Sequence, residues 1–146
     1  MQSLEDLNDI FDNLITNFRD DQRKLHEELA TELKATLDRN ISATVNDSHG
    51  RVRGWQVPHV GSGGGYAAVR ATDGKTGPDS PGAITNYLEN GHRIRASTLG
   101  RAYRSRIRMP YVRGRYFYQT TRGMIESVCR AKVENFARNL ASEVNR

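Results

Sequence analysis

The chain has 146 residues, an ordinary size for one domain and enough to bury roughly 70% of the surface it exposes when unfolded. Its 36% hydrophobic and 27% charged content exclude disorder throughout, and its apolar runs of a few residues fall far short of the roughly 20 that a bilayer-crossing helix needs. The net charge of +5 hides an asymmetry between an acidic first part and a basic remainder, and the single cysteine, Cys129, excludes an intramolecular disulfide and any multi-cysteine metal site.

Residues 1–40 are acidic, with ten acids against five bases, and the first of them lack the charged-then-apolar pattern of an export signal. A cytosolic product is therefore expected. Ser3 and Asp6 form a weak capping box, after which Leu4, Leu7, Phe11, Leu14 and Phe18 recur at alternating steps of three and four. The stripe skips the polar run Arg19 to Lys24 and resumes at Leu25, Leu29, Leu33 and Leu37. A helix over 4–38, or two end to end, is predicted. Unbroken, it would be about 50 Å long, against roughly 38 Å across a compact globule of this length. It must bend near Asp20–Lys24 or project, and projection requires another subunit to cover Phe11 and Phe18.

From Asn40 onward glycine, valine and threonine take over. Arg51 to Val57 and Tyr66 to Thr72 read as two strands of a hairpin, joined through Pro58 and a mobile tip of glycines from Gly61 to Gly65. Asp73-Gly74 and Gly77-Pro78-Asp79-Ser80-Pro81 are turn chemistry. Ala83, Ile84, Tyr87 and Leu88 then mark one face of a short helix that Gly91 ends.

Residues 41–146 carry seventeen bases and seven acids, and between Glu89 and Glu126 there is no carboxylate. Nine arginines fill that interval: Arg93, Arg95, Arg101, Arg104, Arg106, Arg108, Arg113, Arg115 and Arg122. Ile94 and Ile107 alternate with arginines, a period-two pattern that points apolar residues one way and guanidinium groups the other. A hairpin through Ser97–Gly100 would set like charges face to face, so an extended basic arm ordered by an anionic partner is expected.

Ile125, Val128, Cys129, Val133, Phe136, Leu140 and Val144 follow helical spacing from about Thr121 to the end. The fold expected is α+β: a long N-terminal helix, a small mainly antiparallel sheet with a long hairpin, a short middle helix, and a C-terminal helix packed on the sheet. One domain over 1–146 is expected, its helical part at 1–39, sheet and basic arm at 40–120, and last helix at 121–146.

No set of residues supports catalysis or a cofactor. Gly74-Lys75-Thr76 resembles the end of a phosphate loop, but Val69 stands where its first glycine belongs and prolines follow instead of a helix. Gly61, Gly63, Gly64 and Gly65 form no dinucleotide fingerprint and open no helix. His26, His49, His59 and His92 lack metal-ligand spacing, and Cys129 falls on an apolar helical face, where a small inert hydrophobe is the commoner role. Glu89 beside His92 reads as a structural pair at a helix end, since no nucleophile or metal ligand accompanies it.

The arginines and aromatics of 93–122, among them Tyr103, Tyr111, Tyr116, Phe117 and Tyr118, permit two readings. Aromatic rings can stack on bases while guanidinium groups hold phosphates. Nine phosphate contacts would give a log–log salt slope near about −8, and four roughly −3.6. The same guanidinium density suits docking on acidic protein surfaces, because arginine pairs bidentately with carboxylates. The acidic first helix of a neighbouring copy is one such surface, and Trp55 and the tyrosines then serve as core and interface anchors.

The run Gly82-Ala83-Ile84-Thr85-Asn86-Tyr87-Leu88-Glu89-Asn90-Gly91-His92-Arg93-Ile94-Arg95, followed by Val112-Arg113-Gly114-Arg115-Tyr116-Phe117 and a last helix, resembles the tailed-bacteriophage head–tail joining or tail-completion family. That family has an aromatic-x-Glu-x-Gly segment after a strand pair, then a Gly-Arg-x-Phe element leading into its last helix. Tyr87, Glu89, Gly91, His92, Gly114, Arg115 and Phe117 carry the match, and the order of elements extends it over nearly the whole chain. Where members commonly have Thr-Gly-x-Leu-Arg, this chain has Ser48-His49-Gly50-Arg51-Val52-Arg53.

The resemblance implies a non-catalytic virion protein, made in the bacterial cytoplasm, that forms a homo-oligomeric ring of six in the neck between head and tail. On this reading subunits stack through Leu4, Leu7, Phe11 and Phe18 and the hairpin, while Arg93, Arg95, Arg101, Arg104, Arg106, Arg108, Arg113 and Arg115 dock on acidic surfaces of adjacent neck and tail proteins. Some arginines would be free to face DNA in the lumen. No cofactor, metal or membrane contact is expected. The alternatives are a nucleic-acid-binding module built on 93–122 and a tail terminator ring.

Overall fold

The computed structural model describes residues 4–93 and 111–144. The order is α1 (Leu4–Thr44), α2 (Arg51–Trp55), β1 (Gln56–Val60), β2 (Ala67–Ala71), α3 (Pro81–Asn90), β3 (Gly91–Arg93), β4 (Tyr111–Arg113) and α4 (Phe117–Val144). The architecture is α+β, as the periodicities predict, with two small antiparallel sheets, β1–β2 and β3–β4.

Helix α1 is unbroken for 41 residues, about 60 Å, and its polar run Arg19 to Lys24 continues the helix because it holds no proline or glycine. Its predicted end at 38 is too early, since Ile41, fully buried, extends the apolar stripe by another turn. The segment read as a strand from Arg51 begins instead as α2. Asp47 causes this: its carboxylate accepts the backbone N–H groups of Val52 and Arg53, both at 3.0 Å, and the Arg53 Nε at 3.2 Å. Those are the free donors of a first helical turn, so satisfying them favours helix over strand.

The hairpin is present, but Pro58 lies within β1 rather than in the connection. Its side of the ribbon is exposed, where a missing N–H is tolerated. The bonds Trp55 C=O to Thr72 N–H (2.9 Å) and Tyr66 C=O to Gly61 N–H (3.0 Å) close the two ends. The expected mobile tip is instead held against α1: Arg23 donates to the Ser62 carbonyl at 3.1 Å, and Gly64, with φ 70°, lies close to the Arg23 backbone.

Two compact units can be distinguished, and α1, the β1–β2 ribbon and α4 each contribute to both. The first comprises 1–36, 58–69 and 123–146. Its buried apolar residues are Leu29, Ala30 and Ile125, and there Phe18 meets Phe136 with ring centroids 5.8 Å apart. Lys132 of α4 pairs with Glu28 of α1 at 3.1 Å. The second comprises 37–57 and 70–122, with Leu37, Ile41 and Phe117 fully buried. Within it Asn40 donates to the Thr121 hydroxyl at 2.7 Å, fastening α1 to the start of α4.

Helix α3 starts where the turn chemistry predicts, with the Ser80 hydroxyl accepting the Ala83 N–H at 3.3 Å and Pro81 opening the helix. Its buried face, however, is Pro81, Thr85 and Glu89 rather than Ala83, Ile84, Tyr87 and Leu88, and Tyr87 is exposed. Polar residues occupy the inner face because each has a partner: Gln56, itself buried, donates toward the Thr85 hydroxyl, and Glu89 binds backbone N–H groups of α4. Helix α4 begins at Phe117, four residues before the predicted start.

Candidate functional site

The residues that carry the family resemblance fall together at the junction of α3, β3, β4 and the start of α4. Gly91 ends α3 with φ 76° and ψ 172°, a positive-φ extended backbone open in practice to glycine alone, and passes directly into β3. Strand β3 pairs antiparallel with β4 in the register Gly91↔Arg113, His92↔Val112 and Arg93↔Tyr111. The chain then returns alongside the end of α3: Arg115 N–H donates to the Leu88 carbonyl at 2.8 Å and Tyr116 N–H to the Glu89 carbonyl at 3.1 Å. Gly114 is buried at this crossing, where a Cβ would collide with the Glu89 carbonyl oxygen.

Tyr116 precedes the first residue of α4 and has φ 54°, so it supplies no side-chain cap. Glu89 supplies one from α3. Its two carboxylate oxygens accept the Tyr118 and Gln119 N–H groups at 2.9 and 3.0 Å, satisfying two of the open donors at a helix end that favours negative charge. Glu89 is therefore not paired with His92; the His92 ring lies against Tyr87 at 5.4 Å and its Nδ1 is buried without a hydrogen bond. Phe117 fills the core beneath, fully buried. The Tyr118 hydroxyl donates to Gln56 Oε1, and burial together with the nearby Glu89 carboxylate pushes its pKa up to about 12.

This clasp fixes both ends of the arginine-rich segment. Where the ends of the segment pair, Arg93 stands opposite Tyr111 and Arg113 opposite Gly91, so no two arginines face each other there, while the turn at Ser97–Gly100 lies outside the described residues. The ends of the segment thus pair with each other as β3 and β4, and the expected extended arm between them lies outside the described residues. Arg93, Arg113 and Arg115 are exposed there, with Tyr111 and Tyr116 beside them 46% and 40% exposed. Arg95, Arg101, Arg104, Arg106 and Arg108 lie outside the described residues. Arg122 is exposed on the first turns of α4.

The other predicted contact surface is the beginning of α1. Phe11 is 59% exposed, whereas Phe18 is half-buried by Phe136 of its own chain. The side chains of Leu4 and Leu7 lie outside the described residues. Ile10 and Ile15 are exposed as well, and the three-and-four stripe did not include them. The signal for them is their spacing of four from Leu14 and Phe11.

Among the described residues no three His, Cys, Asp or Glu side chains group as a metal site, and no helix is long and apolar enough to cross a membrane. Cys129 is half-buried on α4. No family model matches the chain, nor does any curated protein or solved structure.

Proposed function

We propose that this chain is a structural virion protein of a tailed phage or phage-like particle, forming a homo-oligomeric ring of six in the neck that completes the tail and joins it to the head. The observation that carries the reading is the clasp: Glu89, Gly91, Gly114 and Phe117 converge on one junction, and the sequence between β3 and β4 is a long stretch with arginines and no carboxylates. The junction thus divides into buried residues that join its elements, Glu89, Gly114 and Phe117, and exposed guanidinium groups beside them, Arg93, Arg113 and Arg115. That division suits a protein whose work is docking, because the base fixes the geometry and the guanidinium groups meet acidic surfaces of adjacent neck and tail proteins.

The test is made on particles. Gold-labelled antibody against the chain should mark the neck in electron micrographs, and replacing Arg104, Arg106 and Arg108 together by Glu should leave filled heads and unattached tails. Label elsewhere on the particle, or normal joining by the triple variant, overturns the reading.

A second reading, a nucleic-acid-binding module, is favoured by one observation: Tyr111 and Tyr116 are exposed beside Arg113 and Arg115, as a base-stacking surface with phosphate contacts would require. Affinity for single- and double-stranded DNA measured over a range of salt separates the two. A log–log slope steeper than about −3 supports DNA binding, and a flat response removes it.

A further inference from the structure

We propose that the chain associates head to tail with further copies of itself, the first turns of α1 in one copy docking on the β3–β4 hairpin base of the next. The inference rests on the reading of the chain as an assembly protein and names the contact through which copies join.

The two surfaces are complementary in both charge and polarity. Among the described side chains, residues 5–18 present Glu5, Asp9 and Asp12 and no base, whereas 91–93 and 111–116 present Arg93, Arg113 and Arg115 and no acid. On α1 the carboxylates of Glu5, Asp9 and Asp12 are exposed and follow one another at helical spacing, so they line one side of the helix. Ile15 stands three residues from Asp12 and four from Phe11, and Phe11 and Ile15 are 59% and 51% exposed, so an uncovered apolar strip borders the acids. On the hairpin base, Arg93, Tyr111 and Arg113 share one face of the ladder, because opposed residues of an antiparallel pair point the same way. Tyr111 and Tyr116 supply apolar area beside the guanidinium groups. Neither the three carboxylates nor Arg93, Arg113 and Arg115 form an ion pair among the described residues.

Charge selects the occupant. Pairing α1 with α1 of another copy would bring like carboxylates together, and DNA on the arginines would leave the apolar strip of α1 uncovered and repel its acids. A second copy satisfies both surfaces with one kind of contact. Because the surfaces differ, the contact is heterologous: each copy uses its α1 once and its hairpin base once, and the assembly closes into a ring where the rotation permits.

The experiment uses two charge-reversed forms of the full chain. One carries Asp9→Arg and Asp12→Arg, the other Arg93→Glu and Arg113→Glu. All four positions are exposed, so both forms should fold, which circular dichroism checks. Mass is measured by light scattering at low salt. The unaltered chain should exceed the monomer mass, and each form alone should associate at least about a hundredfold more weakly, since like charges then meet at the contact.

An equal mixture of the two forms should regain the mass of the unaltered chain, because every acidic surface again finds a basic one. A monomeric unaltered chain, forms that associate as well as it does, or a mixture that fails to recover overturns the proposal. A monomeric chain that nevertheless labels the neck removes this contact and leaves the neck reading standing. Restored mass without label at the neck does the reverse.

Discussion

Glu89 and Tyr118, 29 positions apart, are joined by a hydrogen bond of 2.9 Å in which a helix-end carboxylate on α3 accepts the backbone N–H of the second residue of α4. The companion bond from Gln119 makes the contact bidentate, and the α4 terminus acquires from another helix the cap that Tyr116 does not provide. Sequence neighbours of Glu89 and of Tyr118 are then committed as well: the Glu89 carbonyl holds Tyr116, and the Tyr118 ring reaches Gln56.

Replacing Glu89 by Ala should cost about 2–4 kcal/mol, because two N–H groups at a partly buried terminus lose their acceptors. Glu89→Gln keeps one acceptor oxygen and should cost about half as much. Urea unfolding followed by circular dichroism gives both values. Equal costs, or an Ala variant within about 0.5 kcal/mol of the parent, would show that the cap does not hold α4 in place.

Tyr118 makes the fold sensitive to alkali. Its folded pKa, raised to about 12, exceeds the unfolded value near 10, so its contribution is full below pH 10 and disappears as pH climbs through 12. Stability should therefore fall between those limits, and a phenolate absorbance titration should show a late step from Tyr118. Tyr118→Phe should remove the late step. At neutral pH it should also cost roughly 1–2 kcal/mol, since Gln56 Oε1 loses its donor. A late step that persists in the Phe variant assigns it to another tyrosine.

At the opposite end of the pH range the sensitive group is Asp47. Burial would raise the pKa of this side chain, only 3% exposed, but bonds from Arg53 and Val52 N–H and the Arg53 guanidinium outweigh burial and hold it below the ordinary carboxylate value. A lowered folded pKa stabilises above the unfolded value near 3.9 and is lost as pH falls through the folded one. Asp47→Asn should thus destabilise by about 1–2 kcal/mol at pH 7, with the gap to the parent narrowing below about pH 4. A gap independent of pH would mean that the charge plays no part.

Periodicity made α1 and α4 legible because each repeats apolar residues over many turns, and Ser80-Pro81 and Gly91 marked the limits of α3 through their local chemistry. What failed was decided by partners distant in sequence. Arg51 to Trp55 alternates like a strand, yet Asp47 turns it into a helix. The inner face of α3 is polar because Gln56 and the α4 backbone wait opposite it, and no window of ten residues contains that fact. The spacing singled out Glu89, Gly91, Gly114 and Phe117 but not their joining into a clasp: Glu89 looked like a partner for His92, three residues away, and instead reaches forward to Tyr118. The pairing of 91–93 with 111–113 was not legible either, because it joins positions about twenty residues apart and sets tyrosine and glycine opposite the arginines.

Two glycines separate geometric necessity from convenience. At Gly114 a Cβ would lie within 2.7 Å of the Asn90 carbonyl carbon and closer still to the Glu89 carbonyl oxygen, both of them backbone atoms that cannot turn aside. Gly114→Ala must therefore separate β4 from the end of α3, and a loss of about 3 kcal/mol or more is expected, together with weakened capping of α4. Gly123, seven residues into α4 and exposed, has nothing within 4 Å of its Cβ position. Gly123→Ala should stabilise by about 0.5–1 kcal/mol, since alanine loses less backbone freedom on entering a helix. Measuring both variants by thermal and urea unfolding checks the clasp against helix propensity alone. If Gly114→Ala were as harmless as Gly123→Ala, the close crossing of α3 and β4 would not exist, and the arginine segment would have no fixed base from which to dock.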